Sequence, residues 1–136
     1  MKKKTEKILA IREVTINGYD GYLIITDKQE IELSIANGQD CCERWGYFMS
    51  EDNTEDYIGA NLIDIELTDT ALNEAKMKEE KVDSFINGSW YEGGIMFVDL
   101  KTDKGVLQFV AYNEHNGYYW HEAKVISTFL THDENL

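Results

Sequence analysis

Ile8 to Ile16 is a run rich in apolar and β-branched residues that closes at Asn17-Gly18, a tight-turn dipeptide. Tyr22-Leu23-Ile24-Ile25-Thr26 follows Asp20-Gly21, and after the polar turn Asp27-Lys28-Gln29 the segment Glu30-Ile31-Glu32-Leu33-Ser34-Ile35 alternates polar and apolar. That period of two belongs to a half-buried strand, so the first third of the chain predicts a hairpin or three-stranded meander. Asn61-Leu62-Ile63-Asp64-Ile65-Glu66-Leu67 alternates in its second half and predicts another strand. Ile95 to Leu100 and Val106 to Ala111 flank the turn Thr102-Asp103-Lys104-Gly105 and predict a second hairpin. Tyr118 to Thr128 predicts a last strand or strand–helix element. Between Asp69 and Lys81 the composition changes: Ala71, Leu72, Ala75 and Met77 stand among Glu and Lys, which predicts one short helix or an excursion.

The two hairpins resemble each other. Thr26-Asp27-Lys28 matches Thr102-Asp103-Lys104 at an offset of 76, which also sets Ile31 against Leu107, Leu33 against Phe109 and Asn37 against Asn113. Each hairpin runs into a Gly-containing loop with aromatic residues, ending near Trp45 and Trp120. General likeness between hairpins explains such matches as readily as duplication does. The expected fold is mainly β (β-rich α+β), a sandwich or partly closed barrel built from two related β-meanders with one short helix. The 136 residues contain no proline and no Ser/Gly-rich linker, so one domain over 1–136 is expected, with 1–6 and 131–136 as flexible, solvated ends.

Charge narrows the function classes. Against 26 acidic residues stand 13 basic ones, a net charge of −13. Such a surface repels nucleic acid and anionic membranes and attracts basic partners. The basic start, Met1 to Lys7, is followed by an apolar run broken by Arg12 and Glu13, without the unbroken stretch of a secretory signal. No segment approaches the ~20 apolar residues that cross a bilayer, and a cytoplasmic location is expected. The two cysteines, Cys41 and Cys42, are adjacent and cannot staple distant parts of a fold.

Three loops carry the candidate chemistry. In Gly38 to Phe48 the paired cysteines supply thiolates, and His115 and His121 fall in the counterpart loop of the other hairpin. Cys41, Cys42, His115 and His121 offer zinc-type ligands, but no CxxC or HxxxH spacing accompanies them. Packed, unmetallated cysteines are the expectation, with no cofactor, and structural zinc is the alternative. A Cys–His hydrolase using Cys41 or Cys42 with His115 or His121 and Asp40 rests on composition alone. Ser50 to Tyr57 holds Glu51, Asp52, Glu55 and Asp56; it reads as a solvated loop, as a mimic of phosphate spacing or, without the EF-hand pattern, as a cation site. In Tyr112 to Glu122, alternation would put Tyr118 and Trp120 on one face and Tyr119 and His121 on the other. One pair is expected in the core and the other in a contact patch, and the partner-binding residues expected are Glu51, Asp52, Glu55, Asp56, Tyr57, Tyr119 and His121. Phosphate loops, dinucleotide fingerprints, GxSxG and HExxH are absent from the sequence.

Gly38-Gln39-Asp40-Cys41-Cys42-Glu43-Arg44-Trp45 and Asn113-Glu114-His115-Asn116-Gly117-Tyr118-Tyr119, with Tyr57-Ile58-Gly59-Ala60 and Thr102-Asp103-Lys104-Gly105, resemble a small family of uncharacterised domains of bacteriophages and their bacterial hosts. The likeness spans roughly residues 20 to 122 in short stretches. Members tend to carry Arg before the Asn at 113 and Gly after the Tyr pair; Tyr112, Trp120 and His121 stand there instead, so no role of that Arg carries over. The resemblance implies a mobile-element setting and no activity. Together these readings give the expectation of a non-enzymatic, acidic binding protein, an inhibitor or adaptor of anti-defence, for example anti-CRISPR-like, type. It would dock on a basic, nucleic-acid-binding host protein, without direct nucleic-acid or membrane contact and with a homodimer open. The alternatives are a small-ligand- or metal-binding β-domain and a Cys–His hydrolase.

Overall fold

A computed structural model describes residues 5–38, 44–82, 93–114 and 120–136. The alternating segments become β1 (Glu6–Ile16), β2 (Tyr19–Thr26), β3 (Glu30–Ala36), β4 (Arg44–Met49), β5 (Asn61–Thr68), β6 (Gly93–Thr102), β7 (Gly105–Glu114), β8 (Glu122–Ile126) and β9 (Thr131–Asn135). A single short helix, α1 (Glu74–Glu79), stands among them in the described residues. All nine strands join one antiparallel sheet in the order β4-β7-β6-β5-β1-β2-β3-β8-β9. The protein is thus mainly β, and the sheet stays open between its outer strands β4 and β9.

Halfway along, the sheet bends. β1 pairs with β5 only at Glu6–Leu62 and Lys7–Asn61, extended by Ile8 N–H to Ala60 O (2.9 Å) and Gly59 N–H to Ile8 O (2.8 Å). The two wings fold toward each other over one apolar core. Ile8, Ile24, Ile31, Leu33 and Ile35 from one wing meet Met49, Leu62, Leu100, Leu107 and Phe109 from the other. Tyr22 bridges the wings, edge-on to Phe109 (6.1 Å between centroids) and to Tyr47 (5.7 Å). Burying each such side chain contributes about 1.5–3 kcal/mol.

The internal repeat is real and wider than the two hairpins. Thr26 Oγ accepts from Lys28 N–H (3.1 Å) and donates to Gln29 O (3.2 Å); Thr102 Oγ accepts from Lys104 N–H (3.1 Å) and donates to Gly105 O (2.7 Å). The Asp27 carboxylate accepts from Lys7 N–H (3.0 Å), and that of Asp103 accepts from Asn61 N–H (2.9 Å). β1 slips register between Ile8 and Ala10, and β5 between Leu62 and Asp64, the same place relative to Lys7 and Asn61. Hence β1-β2-β3 and β5-β6-β7 are related by a pseudo-two-fold through the Lys7–Asn61 pair. The relation extends to the fourth strands, which are exchanged. β3 pairs with β8, setting Leu33 against Val125, while β7 pairs with β4, setting Phe109 against Met49. Each partner in one pair is the 76-residue counterpart of a partner in the other. Trp45 therefore matches His121, not Trp120, and these two stack across the axis at 5.1 Å.

Two expectations are corrected. Arg44 to Phe48, read as loop, is strand β4, because Trp45, Tyr47 and Met49 alternate onto the core and Phe48 onto the outer face. The solvated end 131–136 is strand β9 followed by a buried Leu136, whose N–H and C=O pair with His121 (2.9 and 3.2 Å). At the other end Glu6 is buried, accepting from Thr26 Oγ (2.7 Å) and Gln29 Nε2 (2.9 Å).

Candidate functional site

Phe48 brings α1 to the outer face of β4. α1 has only six residues, too few to stand alone. Asn73 caps it, its side chain accepting from Lys76 N–H (3.0 Å), and Met77 buries its apolar side against Phe48, Phe97, Val110 and Tyr112. The chain leaving β4 is pinned at Ser50, whose N–H donates to Gln108 O (2.8 Å), whose Oγ accepts from Gln108 N–H (2.9 Å) and whose O accepts from Asn73 Nδ2 (2.9 Å). Glu51 and Asp52 follow at once. They therefore stand at a fixed place between the end of β4 and α1.

The result is a groove of about 350 Å³ beside β4, lined by Ile11 and Glu13 of β1, Tyr22 of β2, Tyr47, Phe48 and Met49 of β4, Glu51, Asp52 and Thr54 of the loop, and Lys76 and Glu80 of α1. Four carboxylates face one ammonium. Lys76 Nζ is held by Asp52 (2.5 Å), Glu79 (3.4 Å) and Glu80 (3.5 Å). The hydrogen bond to Asp52 is the main reason that this ammonium titrates above the ordinary lysine range. In the same lining Tyr47 donates its hydroxyl to Glu13 (2.5 Å), and burial, aided by that bond, pushes its phenol up; burial likewise raises Tyr22. Both phenols stay neutral donors at physiological pH. The groove thus offers negative charge beside aromatic rings, a setting that takes a cation.

Of the carboxylates picked out by the sequence, Glu51 and Asp52 line the groove, whereas Glu55 and Asp56 sit exposed on the 3-10 turn Thr54–Tyr57 outside it. Tyr57 belongs to packing: it lies against the core and donates to Val106 O (3.4 Å). His121 is only 3% exposed, its Nδ1 at 2.5 Å from Ala36 O, so the contact patch proposed for it is corrected to an interior position. Trp120, expected to share a strand face, precedes β8 and is 65% exposed. Tyr119, Cys41, Cys42 and His115 lie outside the described residues, and with them the zinc and Cys–His readings. Among the described residues no three His, Cys, Asp or Glu side chains group as metal ligands. Sequence reasoning missed Glu13, Tyr22, Tyr47, Lys76 and Glu80. Glu13 left a trace, as a carboxylate interrupting an apolar strand; the rest depend on which strands meet.

A family described as a domain of unknown function (DUF7448) matches residues 3–125. The chain belongs to this family. The matched span takes in both exchanged fourth strands almost to the end of β8 and stops before β9. No curated protein and no solved structure matches the chain. No helix among the described residues is long and apolar enough to cross a membrane.

Proposed function

We propose that this member of the family is a non-catalytic binding protein of the cytoplasm, of phage or mobile-element type, whose acidic groove docks on a basic, nucleic-acid-handling host protein and modulates it. The observation that carries the reading is the placement of Glu13, Glu51, Asp52 and Glu80 around one groove, where Lys76 is already shared among Asp52, Glu79 and Glu80. A net charge of −13 adds long-range attraction for a basic partner and repulsion from nucleic acid itself. The resemblance to phage and host domains supports the setting, and an anti-defence role fits it.

The test is a pull-down with tagged protein from nuclease-treated host lysate at about 0.05 and 0.5 M salt, where screening of exposed charge pairs differs strongly. A basic nucleic-acid-binding protein is expected to be captured at low salt and released at high salt. Glu51→Lys with Asp52→Lys should abolish the capture, while Glu55→Lys with Asp56→Lys should weaken it only modestly. Equal losses from the two double variants would move the site from the groove to the general acidity of the surface. A captured partner indifferent to both salt and all four reversals would remove the reading.

A further inference from the structure

Among the described residues, the pseudo-two-fold leaves one strand, β9, without a counterpart. β8 has β3 on one side and β9 on the other, pairing Ala123 with Glu134 and Val125 with His132. Its counterpart β4 has β7 on one side and, among the described residues, no strand on the other. The orientation of the backbone follows from Ser50, which is hydrogen-bonded to Gln108 on β7. In an antiparallel pair such positions alternate with positions whose N–H and C=O point away. The backbone of Phe48 therefore faces β7, and Tyr47 and Met49 present their backbone groups to the edge away from β7. These two are the 76-residue counterparts of Ala123 and Val125, the residues that β9 pairs with. One wing of the molecule thus contains a filled version of a slot that, among the described residues, is open on the other.

Edge strands are usually guarded by lysines, prolines, bulges or charge. β9 is so guarded, with the sequence Thr131-His132-Asp133-Glu134-Asn135. β4, Arg44-Trp45-Gly46-Tyr47-Phe48-Met49, carries aromatic strand formers and no such guard after Arg44. The acidic groove runs beside this same strand, lined by Tyr47, Phe48 and Met49 together with Glu13, Glu51, Asp52 and Glu80.

From these observations we infer that β4 is a strand-addition site: an extended, lysine- or arginine-rich segment of the partner pairs with the backbone of Tyr47 and Met49 as β9 pairs with Ala123 and Val125, and its basic side chains meet the groove carboxylates. This rests on the acidic-docking reading and says how the partner is held. Backbone pairing supplies affinity and the flanking charges choose the occupant. A second copy of this chain would bring two acidic grooves together, which disfavours it as the occupant.

The probe is a capped octapeptide of alternating lysine and valine, compared with the same peptide methylated on every backbone nitrogen. Binding is followed by fluorescence anisotropy and by amide hydrogen exchange of the intact protein. The unmodified peptide should slow exchange at Tyr47 and Met49 at least about tenfold and leave Phe48, already paired, unchanged. The methylated peptide should bind at least about tenfold more weakly, since each lost hydrogen bond removes a share of the affinity. Equal, salt-sensitive binding of both peptides with no protection at Tyr47 and Met49 would overturn strand addition and leave acidic docking standing. Binding of neither would overturn both for a basic segment. Protection of Tyr47 and Met49 that grows with protein concentration in the absence of peptide would assign the edge to a second copy instead.

Discussion

At Gly21 a Cβ would stand 1.9 Å from the carbonyl oxygen of Leu33 and 2.7 Å from Cα of Ser34, both backbone atoms that cannot turn aside. Gly18, three residues earlier, has φ +85° and open space around it. The two glycines are needed for different reasons, close approach in one case and backbone conformation in the other. Gly21→Ala is expected to cost about 3 kcal/mol or more, because β2 must part from β3, and Gly18→Ala only about 1–2 kcal/mol. Urea denaturation measures both; equal losses would mean that the β2–β3 pairing can give. Gln108 is a third position of this kind. Only 1% exposed, it donates from Nε2 to Thr70 O (3.0 Å) and Asp99 (2.8 Å) and accepts from Leu72 N–H (2.9 Å). Gln108→Leu should destabilise by about 1–2 kcal/mol, because the partly buried Thr70 O, Asp99 carboxylate and Leu72 N–H lose their partner while the volume is kept.

Among the elements, α1 depends most on what it touches. Met77 is its one buried residue, so Met77→Ala should cost about 2–4 kcal/mol and free the α1 amides to exchange well before the strands. Lys76 and Glu80 would then leave the groove wall, and binding to the basic octapeptide should weaken as well; unchanged exchange in α1 would show that its cap and ion pairs suffice to hold it. The hairpin turns are a second case. Backbone and side-chain hydrogen bonds from Asn61 to Asp103 hold this carboxyl below the usual aspartate range. A depressed carboxylate contributes stability above its unfolded value near pH 3.9, and that contribution is lost as pH falls through its folded value. Asp103→Ala should therefore lower the melting temperature at pH 7 and change it much less near pH 2. A loss of equal size at both pH values would show that the charge plays no part in the clamp.

For the molecule as a whole, the net charge of −13 sets two salt effects of opposite sign. Like charges over one small body repel each other, and raising salt from 0.01 to 0.15 M shortens their reach from about 30 to 8 Å. Thermal unfolding of the free protein should move to higher temperature over that range, while affinity for a basic peptide should fall. Two scans against salt, one calorimetric and one of anisotropy, check the pair of signs. Parallel trends would mean that hydrophobic burial, not charge, dominates the binding.

Strand character was legible residue by residue, because alternation, β-branching and turn dipeptides are local and act before any partner is chosen. β1, β2, β3, β5, β6 and β7 could be read that way, as could the short helix and the likeness of Thr26-Asp27-Lys28 to Thr102-Asp103-Lys104. Other features exist only after chain folding. Periodicity says which face of a strand is apolar but not which strand lies beside it, so the exchange of β4 and β8 between the wings left no mark in the pattern. Arg44 to Met49 sits next to a glycine-containing loop and looked like part of it; its pairing with β7, from 60 residues downstream at Met49–Phe109 to 70 at Arg44–Glu114, is what makes it a strand. Thr131 to Asn135 is too polar to announce itself and is a strand only because β8 offers it an edge. Glu51 and Asp52 were readable as carboxylates, whereas their meeting with Glu13, Tyr22, Tyr47 and Glu80 was decided by tertiary structure, since a groove is made by the elements that fail to close over it.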